Sequence, residues 1–256
     1  MTGEPSASRG AIWPALLSAV AIGFCPAVSS ADGLRDGLFK KPSGVGRTQA
    51  PPPVARYISE DGHVFILDRT QARPLLKFDD SPEVWALSPQ PAPRGDIIYK
   101  NDLGESVLRA TRVGGITLFT DHRPGGEAVS LTGPGAPLRP QLLSAASLLD
   151  RLGQASFRSA RAAGHGVPYF ADSVRPESAA LTGDAAMLAS LAILRLASRR
   201  DGASILSAVR RVRIAEGKTS AAVLEAGTLT ITIAPALGLA GRPSSERIEK
   251  VLTQGR

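Results

Sequence analysis

Cysteine is nearly missing from this sequence: Cys25 is the only one among 256 residues. That excludes an internal disulfide framework and any zinc site built on paired cysteines. Histidine is scarce as well. His63, His122 and His165 stand far apart, none with a second histidine at i+2 or i+4, so no HExxH helix and no structural metal site is encoded. No GxSxG elbow occurs, and no lysine stands third after a serine, which disfavours a serine hydrolase of familiar signature. The stretch EGKTS, 216–220, keeps only the tail of a phosphate-binding loop. Val212 stands where the first glycine belongs, and a strand-like run follows where a helix is required. It reads as a turn, and no cofactor is implied.

Aromatic residues make up 5% of the chain, and Tyr57, Phe65, Phe78, Trp85, Tyr99 and Phe119 fall in a strand-rich half where core packing accounts for them. Basic helices without interleaved aromatics argue against a nucleic-acid partner. Charge is distributed unevenly. Residues 32–133 carry 13 basic and 13 acidic side chains, whereas residues 134–256 carry 16 basic and 9 acidic and so hold the whole net charge of +7. A one-sided basic half points to an anionic partner: an envelope lipid, a glycan or an acidic protein. A GC-rich coding bias, which also fits Asn101 as the single asparagine, would give the same arginine excess.

What is present begins with an export signal. After Arg9 comes GAIWPALLSAVAIGF, then CPAVSSADG, with Ser29 and Ala31 as the small residues that precede a cleavage site. Cleavage between Ala31 and Asp32 removes Cys25 with the leader. Phe24 is not the small residue that a lipid-attachment cysteine needs before it. A secreted chain without disulfides must be held by its core, which favours the periplasm. No later stretch reads as a membrane span, and AAMLASLAILRL, 185–196, reads as a buried helix.

Residues 32–53 are Pro/Gly-rich and read as a tether. Residues 54–256 read as a single α+β domain. In its β-rich part, 54–131, short apolar runs alternate with turn formers such as Asp61-Gly62, Asn101–Gly104 and Gly114-Gly115, as in a curled antiparallel sheet or small barrel. PQPAPRG, 89–95, reads as a surface loop. The helical part, 141–211, holds two to three helices. The first is expected to bury Leu142, Ala145, Leu149, Leu152 and Ser156, and to end at Gly164. The second follows Pro176, is apolar on most sides, and has a weak point at Gly183. Residues 212–256 read as a hairpin turning at Ala226-Gly227 and a short helix capped by Ser244 or Ser245. Sheet and helices are expected to share one core.

Two candidate surfaces follow. Arg151, Arg158 and Arg161 on the outer side of the first helix, with Arg195, Arg199 and Arg200 at the end of the second, would hold an anionic ligand. The alternative is a hydrolytic site of carboxylate or Asp-His type. KFDDSPE, 77–83, offers Asp79 and Asp80 beside Glu83, and TDHR places Asp121 next to His122 at a strand end. The turn around Asn101 has a full structural explanation and reads as scaffold.

RYISEDGHVFILDR, LLKFDDSPEVWAL, PRGDIIYKNDLGESVLRATRVGGITLFT and RPGGEA together resemble a bacterial family of exported proteins classed as a domain of unknown function. The likeness is closest over 55–128 and looser in the helical half. It implies export and a single domain, and it carries no activity and no functional residue. The expectation is therefore an exported periplasmic or envelope protein, non-catalytic, that holds an anionic envelope component or acidic protein through its arginine-rich helical face.

Overall fold

The computed structural model describes residues 52–254. The leader, the cleavage site at Ala31 and Asp32, and the tether as far as residue 51 lie outside the described residues.

Alternating runs punctuated by turn formers dictate the first half. β1 (Val54–Ser59) and β2 (Val64–Asp68) form a hairpin whose turn places Gly62 at φ +88°, a conformation open to glycine. β3 (Leu75–Phe78), β4 (Val84–Ala86), β5 (Ser88–Ala92), β6 (Asp96–Lys100), β7 (Ser106–Ala110), β8 (Ile116–Thr120) and β9 (Arg123–Pro134) follow. They pair in a 9-stranded sheet of order β4-β3-β2-β1-β9-β8-β7-β6-β5. The strands at its two edges are neighbours in the chain. β4 pairs with β3 and β5 with β6, both antiparallel, and only the buried Leu87 separates them. One bent run, 84–92, therefore joins both edges and nearly closes the sheet into a barrel.

The stretch 89–95, expected as a loop, is β5 and a 3-10 turn at Pro93–Gly95. Its prolines alternate, so Ser88, Gln90 and Ala92 can bond to β6 while Pro89 and Pro91 point their missing N–H groups outward. Inside the barrel Phe65, Leu67, Leu76, Leu108 and Leu118 are fully buried. An aromatic row crosses four strands: Tyr57 to Phe65 at 5.4 Å, Phe65 to Phe78 at 5.6 Å, and Phe78 to Trp85 at 5.9 Å between ring centres.

The second half begins with α1 (Ala145–Ala163). The Ser144 side chain accepts from the Ser147 amide at its start, and Gly164 ends it in the left-handed conformation. β10 (Tyr169–Ala171), α2 (Ala179–Ala197), α3 (Gly202–Leu206), β11 (Arg211–Glu216), β12 (Ala221–Glu225), β13 (Thr228–Ile233) and α4 (Ser245–Gln254) follow. The sheet order is β10-β11-β13-β12, with β12 antiparallel to β13 and the other pairs parallel. The expected hairpin is β12–β13. Three-residue β10 carries no period that a sequence could reveal.

α2 is the centre of this half. Leu181, Leu188, Ile193 and Leu196 pack into one cluster with Val212, Ile214, Leu229 and Ile231, each burial contributing about 1.5–3 kcal/mol. Contrary to the reading of the sequence, α2 is long and apolar enough by composition to cross a membrane, but 67% of its apolar window is buried inside the fold.

The buried face of α1 also differs from expectation. Leu148, Leu152, Ala155 and Ser159 point inward, while Leu142 and Leu149 are 96% and 68% exposed. The cause lies on α2: Gly183 leaves a notch filled by Leu143, Leu148 and Arg151. Nor do the two halves share one core. The barrel encloses its own apolar cluster, α2 and the second sheet enclose another, and a small third cluster of Leu75, Leu239 and Ala240 is packed against by Val84 and Ala86 of β4.

Candidate functional site

In an antiparallel meander alternate connections gather at one end. Here those are residues 60–63, 79–83, 101–105 and 121–122. Arg123 pairs with Asp61 at 2.8 Å, and the Asp61 amide donates to Glu127 at 2.9 Å, tying two of them together. α4 is clamped onto this end by its first turn. Asp102 accepts from the Ser244 amide at 2.9 Å and from its hydroxyl at 2.6 Å. Glu83 accepts from the Ser245 amide at 2.9 Å and from its hydroxyl. Backbone N–H groups at a helix start have no partner within the helix, and carboxylates there also meet the positive end of its dipole. Glu83, third carboxylate of the KFDDSPE loop, is thus a helix cap.

Beside this junction lies a cleft of about 1020 Å³. Phe78 and Trp85, the end of the aromatic row, line it together with Ile98 and Val107. Asp80, Asp121 and His122 also line it, joined by His63, which the sequence did not single out. None of Asp80, Asp121 and His122 is in a hydrogen bond or ion pair with another described side chain, so their polar atoms are open to a ligand. Asp79 stands apart, in an ion pair with Arg56. Arg195 and Glu246 bring the helical half into the same lining.

Glu246 is the group with unusual chemistry. Burial pushes its carboxyl up to about 7, helped by the charges of Glu83 and Glu105 and opposed by Arg195. Asn101 connects it to a neighbour: its Nδ2 donates to Glu105 at 2.9 Å and to Glu246 at 3.2 Å. Asn101 Oδ1 accepts from the Leu103 and Glu105 amides at 3.0 and 2.9 Å. The turn is therefore scaffold, as expected, and also a link between two carboxyls. Nothing in the sequence distinguished Glu246, because an acidic residue in a first helical turn ordinarily just complements the dipole.

The six arginines are not gathered into one set of contacts. Arg195 donates to Ser245 at 2.8 Å and pairs with Glu249 at 3.3 Å. Arg199 pairs with Asp201 at 3.3 Å. Arg151 is half-buried over Gly183. Arg158, Arg161 and Arg200 are exposed, and Arg161 lies 5.8 Å above the exposed Phe157 ring. Among the described residues no group of three His, Cys, Asp or Glu side chains could hold a metal ion.

Fold and cleft define a class: an α+β protein in which a nearly closed antiparallel barrel meets a helix-packed mixed sheet, with a carboxyl-lined cleft beside their junction. The chain belongs to the family described as domain of unknown function DUF4908, which it matches over residues 34–252. Searches among curated proteins and among solved structures found no match.

Proposed function

We propose that this is an exported envelope protein that takes a polyhydroxylated ligand, a segment of envelope glycan, into the barrel-end cleft and hydrolyses it by acid–base catalysis. The observation that carries the reading is Glu246: a half-buried carboxyl that keeps its proton up to about pH 7 and opens onto a cleft containing Asp80 and Asp121. A protonated carboxyl paired with an ionised one is what glycosidic cleavage requires. Glu246 would give its proton to the leaving oxygen while Asp80 or Asp121 takes one from the attacking water. Phe78 and Trp85 supply apolar faces for a sugar ring, and His63 and His122 supply polar edges. The test is release of reducing ends from solubilised cell-wall glycan. E246Q is expected to cut the rate by about 100-fold or more, and an undiminished rate would remove Glu246 from the chemistry.

A second reading, non-catalytic docking on an anionic envelope component, is favoured by the exposure of Arg158, Arg161 and Arg200. It predicts binding to anionic vesicles that weakens with salt and is lost when these three arginines are replaced by glutamine. Export itself predicts a periplasmic protein whose N-terminal residue is Asp32.

A further inference from the structure

We propose that a second, smaller cleft in this protein binds a phosphate-type oxyanion carried on a small organic group. The cleft, about 350 Å³, is lined by Ser88 and Gln90 of β5, Lys100 at the end of β6, the 101–104 turn, Ser220 before β12, and Arg247 of α4, with Arg73 completing it. Arg73, Lys100 and Arg247 give it three cations. Asp102 is the only carboxylate in the lining and is already committed. Its Oδ1 accepts from the Ser244 hydroxyl at 2.6 Å, and its Oδ2 accepts from the Ser244 amide at 2.9 Å and Arg247 Nε at 3.3 Å.

Lys100 and Arg73 take part in no ion pair among the described residues. Arg73 Nε is buried without a hydrogen-bond partner, and its Nη1 reaches only the Ala240 carbonyl, at 3.5 Å. The Arg73 Nη groups thus make no bond to a carboxylate, and an oxyanion in the cleft would give this guanidinium its first charge-assisted partner. A planar arginine fork, a compact ammonium and neutral hydroxyl donors together match the oxygens of a phosphate. The volume exceeds what inorganic phosphate fills, so an appended group fits too. In the larger cleft Asp80, Glu105 and Asp121 stand beside Arg109 and Arg195, so cations do not outnumber carboxylates there as they do in the smaller one. Only Asn101 lines both clefts, so the anion site stands or falls apart from the acid–base reading.

Calorimetric titration of the full chain with inorganic phosphate and with glycerol phosphate tests the inference, glycerol serving as the uncharged control. Saturable binding of the two phosphates and none of glycerol is expected. K100Q should weaken binding about tenfold, the factor that goes with one charge-assisted hydrogen bond. Lys100 holds no partner, so K100Q leaves the fold intact, and E246Q should leave phosphate affinity unchanged. Vesicles containing phosphatidylglycerol separate the two sources of the ligand. Vesicle binding displaced by glycerol phosphate assigns a lipid headgroup, and phosphate binding without vesicle binding assigns a soluble phosphoester. No heat with either phosphate at millimolar concentration, or wild-type affinity in K100Q, overturns the site.

Discussion

Glu246 makes the fold sensitive to alkali. In the unfolded chain its carboxyl loses a proton near the ordinary value of 4.5, whereas burial, then Glu83 and Glu105, hold that proton up to about 7 in the folded state. Because the folded value is the higher one, the favourable contribution of this group is complete below about pH 4.5 and disappears as pH rises through about 7. At 1.36 kcal/mol per tenfold change in proton affinity, that rise is worth roughly 3 kcal/mol. Asp68 and Glu216, whose carboxyls are held below the usual range, lose their own contribution in acid, but equally in wild type and variant. The assay is urea unfolding of wild type and E246Q at mildly acid and mildly alkaline pH. Glutamine keeps an oxygen for the Asn101 amide and never ionises. The two proteins should match in acid, and E246Q should be the more stable in alkali by about 3 kcal/mol. Parallel stability curves would refute the reasoning, because a carboxyl that titrates normally could not serve as a proton donor at neutral pH.

Arg242 is buried, pairs with Asp184 of α2 and donates to the Val84 carbonyl of β4 at 2.9 Å. R242M leaves Asp184 uncompensated in a partly buried site and should cost about 3–5 kcal/mol in the same unfolding assay. Asp68 is fully buried and accepts from the Thr70 amide, the Thr70 hydroxyl and the Leu138 amide at 2.9, 2.5 and 2.9 Å. D68N turns an amide toward those donors and should cost about 2–3 kcal/mol. Burial works against the charge of Asp68, but Thr70, Leu138 and Arg139 outweigh it. The stability it adds is present above the ordinary carboxylate range and is lost on acidification, so D68N should also flatten the acid side of the stability profile.

Local chemistry made much of the fold legible in the sequence. The hairpin turns at Asp61-Gly62 and Asn101–Gly104 rest on residues that adopt those conformations at little cost, the turn at Ala226-Gly227 is marked by Gly227 although Ala226 too is held at positive φ, and the strands between them follow from alternation. The register of α1 was not legible, because apolar side chains lie on two stripes and the choice between them is made by Gly183, on another helix. β5 was hidden by its prolines, which only an edge tolerates. The cleft was legible in part: Asp80, Asp121 and His122 sit in connections that a meander brings to one end. Glu246 and Glu105 escaped notice, and Asn101 read as scaffold alone, because their link comes from a contact spanning 145 residues. The arginines show the same limit from the other side. A helical wheel places Arg195 outward, but only the packed fold reveals Glu249 waiting for it.

The clamp of α4 on the barrel has a consequence for the order of events during synthesis. The Glu83–Ser245 contact closes a loop of 162 residues, and closures of that span come late. A ribosome delivers the barrel strands first, and until α4 emerges Glu83 and Asp102 are bare charges on an open rim, with no Glu246 beside Asn101 and no Arg247 beside Lys100. A nascent chain halted before Ser244 is thus a barrel with an aromatic interior and neither pocket finished, and completion of the last helix marks the moment at which the molecule becomes competent.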